Sequence, residues 1–240
     1  MKIEGINPHI STRYDRQTML PQFGEDGQRK LSSARVLLVG VGGLGSPVAL
    51  YLAGAGVGRI GLIDPDIVSE SNLQRQILYK ENETGLPKVE CAKKRLIELN
   101  STIRVDSYAC RFEKDNAKEI ASQYDLIIDG CDNFATRYLI DDISVELNIP
   151  YIYGSIGEFH GQLSVFNYNG GCRYRDLYPE EDAEQCDSQG INGVLAPVPG
   201  IIGTLQAIET IKVITGIGKT LRNRLLMVNM LTMDMVVLDI

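Results

Sequence analysis

The 240-residue sequence predicts a doubly wound, Rossmann-like α/β fold, with a mainly parallel sheet and antiparallel strands added in the C-terminal part. Three observations carry that expectation. A glycine turn, Gly40-Val41-Gly42-Gly43-Leu44-Gly45, joins an apolar run to a helical pattern. Strand-length apolar runs alternate with amphipathic segments as far as residue 148. After residue 150 the alternation gives way to hairpin-like runs.

Residues 1–34 are mixed and polar and are expected to form an N-terminal helical arm, with GEDGQRKLSSA leading into the first strand. RVLLVG (35–40) is short, apolar and closed by glycine, as a buried strand is. SPVALYLAGAGV (46–57) is small and apolar at helical spacing, and RIGLID (59–64) is the second strand. The glycine turn therefore sits inside a βαβ unit of about 30 residues, the context such a turn requires. LPKVECAKKRLIELN (86–100) reads as an amphipathic helix with Leu96, Ile97 and Leu99 inward and Lys93, Lys94 and Arg95 in solvent. RVDSYAC (104–110) alternates as a strand and KDNAKEIASQY (114–124) reads as a helix. DLIIDGCD (125–132) is an apolar strand with acidic ends. NFATRYLIDDISVELN (133–148) is a helix that Asp132 or Asn133 can cap. Alternation of this kind puts helices on both faces of a parallel sheet. YIYGSIGEFHGQLSVFNY (151–168) holds two strands around Gly157 and Gly161. Residues 169–193, rich in Gly, Pro, Asp and Glu, read as a flexible loop too long to be inert. IIGTLQAIETIKVIT (201–215) is a buried helix, and RLLMVNM with TMDMVVLDI forms a last hairpin on the sheet edge. The whole chain, 1–240, is read as one domain, with a nucleotide-binding half at 35–150 and a partner-binding half at 151–240.

A formal charge of -7 argues against nucleic acid as the main partner, because phosphate backbones demand a basic face. No apolar run approaches the ~18 residues of a membrane span, so no membrane association is expected. The first residues lack an apolar secretory core. Five unclustered cysteines fit a reducing, cytoplasmic setting better than a disulfide framework.

The glycines at 40, 42, 43 and 45 permit positive φ and close backbone approach, and the helix that follows points its N–H groups at an anion. Asp64, closing the second strand, is placed to accept ribose hydroxyls. The plain alternative is tight helix–strand packing. A dinucleotide's pyrophosphate is largely satisfied by the helix terminus, whereas a triphosphate with its metal asks for cationic side chains. Arg75 and Lys88 supply them just downstream. Arg75 by itself reads as a surface ion pair. Lys88, however, begins a helix, where the dipole disfavours a lysine that has no anion to meet. Asp132 lies at the carboxyl end of a parallel strand and could hold Mg²⁺ against phosphate oxygens, or simply cap the next helix.

RYDRQ, LLVGVGGLGS, LAGAGVGRIGLID, SNLQRQIL, PKVE, DGCDN and GTLQAIETIK together resemble the ThiF/MoeB/HesA family of adenylyltransferases. That family is similar to the adenylation domains of ubiquitin-activating enzymes. The resemblance runs from about Arg13 to the end of the chain, and LAGAGVG with SNLQRQIL looks closest to the ThiF branch of thiamin synthesis. It implies a homodimer that uses Mg²⁺ and ATP to adenylate the C-terminal Gly-Gly carboxylate of a small ubiquitin-like sulfur carrier protein, here of ThiS type, releasing pyrophosphate. Carried over, it implies that Gly43 and Asp64 contact the nucleotide, Asp64 at the ribose. Ser71, Asn72, Leu73, Gln74 and Arg75 of SNLQR would line the nucleotide, with Asn72 and Arg75 on phosphates. Lys88 would neutralise the triphosphate, Asp132 would hold Mg²⁺ with Asn133 beside the nucleotide, and Arg16 would reach the partner protomer's ATP. A MoaD-type carrier of molybdopterin synthesis is the alternative within the family, and tRNA thiolation stays open. Outside the family stand an NAD-dependent oxidoreductase, which would leave Arg75, Lys88 and Asp132 without a task, and a non-catalytic carrier-docking protein.

In AEQCDSQGING the resemblance implies that Cys186 can form an acyl-persulfide link to the carrier. A cysteine in an open loop is accessible, as a nucleophile must be, but Glu184 and Asp187 beside it would raise its pKa and favour an incidental cysteine. Cys91, Cys110 and Cys131 fall on helix or strand and are expected to be buried packing. Relatives often carry two CxxC pairs that bind structural zinc. Here Cys172 has no partner at the right spacing, so zinc is expected to be absent and residues 169–193 to be mobile without a staple.

Overall fold

The computed structural model describes residues 8–179 and 193–240, with side chains from residue 13 onward. The polar arm folds as α1 (Pro8–Thr18) and α2 (Gly24–Ser33), and the next apolar run forms β1 (Arg35–Val39). Then follow α3 (Gly45–Ala55), β2 (Arg59–Ile63), α4 (Lys88–Leu99), β3 (Arg104–Tyr108), α5 (Ala117–Ala121), β4 (Leu126–Asp129) and α6 (Phe134–Leu147). The C-terminal part adds β5 (Tyr151–Gly157), β6 (His160–Phe166), the single turn α7 (Tyr174–Leu177), α8 (Pro197–Thr215), β7 (Arg224–Asn229) and β8 (Asp234–Asp239). All eight strands make one sheet in the order β3-β2-β1-β4-β5-β6-β7-β8. Strands β1 to β5 pair in parallel, and β6 to β8 are added antiparallel. The expected doubly wound sheet with antiparallel additions is therefore the observed one.

Strand β1 shows why the sheet is covered on both faces. Val36 and Leu38 point into one apolar layer with Leu31, Val48, Leu52 and Leu96, while Leu37 and Val39 point into the other with Ile127, Tyr138 and Ile143. A strand whose two faces are both buried must be apolar throughout, and RVLLV is after its first residue. The first layer takes α2, α3, α4 and α8, and the second takes α5 and α6. No helix among the described residues is long and apolar enough to cross a membrane.

Four local expectations are corrected. In α4 the buried set is Val89, Cys91, Ala92 and Leu96, while Ile97 and Leu99 are 39% and 41% exposed. The helical period puts positions 89, 92 and 96 on one face and turns 97 and 99 off it. The helix expected over 114–124 shrinks to α5. Asn116 there accepts the Glu113 N–H and donates to the Arg111 carbonyl, a side-chain turn that competes with helix. Helix α8 begins four residues before the expected 201, because Pro197 and Pro199 fit a first turn where no N–H is needed. Residues 169–179, expected to be part of a mobile loop, are instead held. The buried Asp141 carboxylate accepts the Tyr174 N–H at 3.0 Å and Arg173 Nη2 at 2.9 Å, and Tyr174 is wholly buried among Tyr138, Tyr151, Tyr153, Phe166 and Tyr178. Residues 180–192, the rest of that segment bar Gly193, lie outside the described residues.

Helix α8 crosses α3 at Gly203, where an added Cβ would lie 2.5 Å from the Leu44 carbonyl oxygen and 2.6 Å from Pro47 Cγ. Gly54, within α3, has nothing within 4 Å of that position. Alanine is worth up to about 1 kcal/mol over glycine in a helix. Gly54→Ala is therefore expected to stabilise the protein by up to about 1 kcal/mol in urea unfolding. Gly203→Ala should destabilise it despite the same helical gain, and equal shifts in the two variants would refute this packing account.

Candidate functional site

The glycine turn forms the floor of a cleft of about 1020 Å³ at the carboxyl ends of β1, β2 and β4. Gly40 leaves β1 at φ +89°, and an added Cβ would lie 2.5 Å from the Gly130 carbonyl oxygen. Its N–H is held by the Ile63 carbonyl at 2.8 Å. Gly42 and Gly43 present bare backbone to the cleft, and Tyr79 braces the turn by donating to the Val41 carbonyl at 2.6 Å. Gly45 does not line the cleft. A Cβ there would collide with the Gly40 carbonyl, so its small size serves the seating of α3 against the turn.

Asp64 ends β2 nearly buried. Its carboxylate accepts the Val41 N–H at 2.8 Å and the Asp66 N–H at 2.9 Å. Burial pushes its pKa above the usual carboxylate range, and nearby Lys88 and the two N–H groups work against that rise. Lys88, the first residue of α4, is 5% exposed at its side chain and reaches Asp66, itself 62% exposed, at 2.9 Å. A buried ammonium at the positive end of a helix is held at a cost that only an anion offsets. Half-buried Arg75 lies on the same wall, bonded to the Ser71 carbonyl at 3.3 Å and with no acidic partner among the described residues.

The facing wall is the turn between β4 and α6. Asn133 caps α6 by accepting the Thr136 N–H at 2.9 Å, which leaves Asp132 exposed to the cleft, its side chain bonded among the described residues only by Asn133 Nδ2 at 3.4 Å. Beneath this turn lies an ion pair that sequence reasoning missed. Wholly buried Asp129 accepts Arg137 Nε at 3.2 Å, the Tyr151 hydroxyl at 2.9 Å, and both the N–H and the thiol of Cys131 at 2.9 Å. Cys131 packs against the second apolar layer, as expected. It lines the cleft, and burial together with the Asp129 carboxylate pushes its thiol pKa well up. Asp66, Gln76, Arg111 and Lys114 also line the cleft unforeseen. The run DGCDNFATR held a signal for Asp129 and Arg137, since eight residues separate a strand-end acid from a helix base, but only folding shows that they meet.

Of the residues singled out in the sequence, Gly40, Gly42, Gly43, Asp64, Arg75, Lys88, Asp132 and Asn133 are brought together on the cleft walls. Ser71, Asn72, Leu73 and Gln74 are not among them. Ser71 and Gln74 are exposed, and Leu73 packs on the core. The Asn72 carbonyl takes the N–H groups of Arg75 and Gln76, a turn that swings those two side chains to the cleft instead. Arg16 is exposed on α1, which docks at the far end of α3. Gln17 there bonds the Ala55 carbonyl at 3.1 Å, and Tyr14 packs under Gly56. That end is roughly 16 Å along the helix from the glycine turn. Cys186 lies outside the described residues. Among the described residues, no three His, Cys, Asp or Glu side chains gather to hold a metal ion unaided.

A family model described as ThiF family matches residues 14–240. The "probable molybdopterin-synthase adenylyltransferase" of Porphyra purpurea is 48% identical over 228 residues, which is 93% of this chain and 59% of that protein. The "probable adenylyltransferase/sulfurtransferase MoeZ" of Mycobacterium tuberculosis is 46% identical over 231 residues, 92% of this chain and 58% of that protein. The chain thus spans less than two thirds of the length of these relatives. Among solved structures, E. coli MccB with ATP has a TM-score of 0.84 at 25% identity, covering 95% of this chain and 71% of that one. PaaA has the same fold, with a TM-score of 0.84 at 23% identity, covering 100% of this chain and 76% of that one. The Porphyra purpurea protein's name carries molybdopterin and neither name carries thiamin, so the preference for the thiamin branch finds no support in them.

The site makes one electrostatic prediction. Lys88 is the strongest influence holding the Asp64 pKa down, so in a Lys88→Met variant the Asp64 carboxyl should titrate higher still. Side-chain carboxyl NMR titration reads this, and an unchanged midpoint would show that Lys88 does not act on Asp64.

Proposed function

Because the chain belongs to the ThiF family, we propose that it is an ATP-dependent adenylyltransferase that activates the C-terminal Gly-Gly carboxylate of a small ubiquitin-like sulfur carrier. The observation that carries this reading is the placing, across one glycine-floored cleft, of buried Lys88 and of Arg75, which has no acidic partner among the described residues, opposite the exposed carboxylate of Asp132. That arrangement suits a triphosphate with its cation and has no use for a nicotinamide. The names of the relatives favour a molybdopterin-type carrier over the thiamin-type carrier. MccB with ATP, on the same fold, supports the choice of nucleotide.

In this reading the carrier's terminal carboxylate attacks the α-phosphorus of ATP, the bond from that phosphorus to the bridging oxygen breaks, and pyrophosphate leaves. The carboxylate is already ionised, so no general base is required, and none is assigned. The chain contributes position and charge. The backbone of Gly42 and Gly43 admits phosphate closely, Asp64 is set for the ribose, and Arg75 and Lys88 take up negative charge that grows on the leaving pyrophosphate. Mg²⁺ fits Asp132, a hard oxygen donor with no cationic partner among the described residues. When bound it would neutralise phosphate oxygens. We include in the proposal a homodimer in which Arg16, remote from its own cleft, serves the partner protomer's ATP, and a sulfur-transfer role for Cys186.

The test is ATP–pyrophosphate exchange with a panel of small carriers that end in Gly-Gly. Exchange is expected, and Lys88→Ala or Arg75→Ala should lower its rate by about 10²–10³-fold, the usual loss for one transition-state charge contact. Absence of exchange with every carrier would reject the reading. If Arg16 acts across the dimer, mixing inactive Arg16→Ala and Lys88→Ala chains should restore part of the rate, and no restoration would count against it.

A further inference from the structure

We infer that the buried Asp129–Arg137 pair is a positioning device for Asp132, fixing its carboxylate against the glycine turn. The inference rests on the reading that Asp132 meets the cation of Mg-ATP. Asp129 ends β4 with no exposure, and Arg137 comes from the second turn of α6. Together they grip the backbone of one residue, Cys131, by the peptide units on either side of it. The Asp129 carboxylate accepts the Cys131 N–H at 2.9 Å, and Arg137 Nη2 donates to the Cys131 carbonyl at 3.2 Å. Asp132 is the next residue, and its own side chain meets only Asn133 Nδ2 at 3.4 Å among the described residues. Nothing in its side-chain contacts aims it, so its aim comes from the backbone. That backbone is referenced to the phosphate floor, because Gly130 lies against Gly40. The grip is itself anchored. Tyr151 donates to Asp129 at 2.9 Å from β5, and Gln206 Nε2 donates to the Asp129 carbonyl at 2.7 Å from α8.

Stability alone explains this pair poorly. A buried ion pair is often no more stabilising than apolar residues of the same volume, since desolvation offsets the attraction. What charged partners supply and apolar ones cannot is directed hydrogen bonding to the backbone N–H and C=O of a chosen residue. Lysine in place of Arg137 would keep the charge but lacks the planar fork that serves the carboxylate and the Cys131 carbonyl together.

The experiment is the binding of a fluorescent ATP analogue, titrated with Mg²⁺, to the full chain, with thermal melts to establish folding. Arg137→Lys is expected to weaken the apparent Mg²⁺ affinity by about tenfold or more, as loss of an outer partner of a metal ligand does, while analogue binding without Mg²⁺ stays at the parent value. In an Asp132→Asn background the same substitution should add nothing to the Mg²⁺ dependence. A folded Arg137→Lys protein with the parent Mg²⁺ midpoint would overturn the inference. Should Arg137→Lys fail to fold, Tyr151→Phe removes one hydrogen bond from Asp129 and keeps the ring. A smaller weakening in the same direction supports the inference, and none overturns it. The binding readout needs no carrier. Failure of exchange with a shifted Mg²⁺ midpoint would thus reject the proposed reaction and leave the positioning role standing.

Discussion

At the carboxyl ends of β1 and β4 the chain passes Gly40 against Gly130 with no space for a Cβ on either. The approach occurs where the sheet changes direction. From β1 the chain builds outward through β2 and β3, then returns to place β4 on the other side of β1. Crevices open at such points because the two connections leave to opposite faces. Gly40 leads into α3 on one face and Gly130 into α6 on the other, so two turns and two helix starts share one floor. Any side chain at either glycine would part the turns and enlarge the gap between the glycine floor and Asp132.

Charge is layered around that floor by depth. Charges held below the surface include Lys88, tied to exposed Asp66, and wholly buried Asp129, tied to nearly buried Arg137. Others stand at the surface of the cleft with no ion-pair partner among the described residues, Arg75 and Asp132 among them. The buried ones are fixed by hydrogen bonds and cannot reorient. The surface ones are the groups a charged ligand would meet first. Electrostatic catalysis depends on charges that are placed before the ligand arrives and need no rearrangement afterwards. The fold supplies that by paying, at the sheet ends, for desolvated charges it could have replaced with apolar side chains.

The C-terminal part closes the site from below and the side. Helix α8 packs Gly203 on the start of α3 and sends Gln206 to the end of β4, so one helix steadies both turns of the cleft. The aromatic group of Tyr138, Tyr151, Tyr153, Phe166, Tyr174 and Tyr178 fills the space under α6, and its Tyr151 hydroxyl is spent on Asp129. Tyr138 donates to the carbonyls of Tyr178 and Pro179, which ties the last described residues before 180 to the same cluster.

Much of this was legible in the residues. Strand and helix alternation, the glycine turn, Asp64 at the end of β2 and Asp132 at the end of β4 are local properties, set by hydrophobic period and by neighbours in the chain. Lys88 could be suspected from its place at a helix start alone. The sequence could not say that Asn133 rather than Asp132 caps α6, that Arg75 and Gln76 rather than Asn72 face the cleft, or that Cys131 lines its facing wall. Each of those depends on which way a short turn swings a side chain. By itself, then, the sequence determined the sheet, the order of its elements and the glycine turn, because these follow from periodicity and from the one residue without a Cβ. Only the tertiary structure decided the company each polar residue keeps. Asp129 meets Arg137, Tyr151 and Gln206 through contacts spanning 8, 22 and 77 residues, which no local pattern encodes.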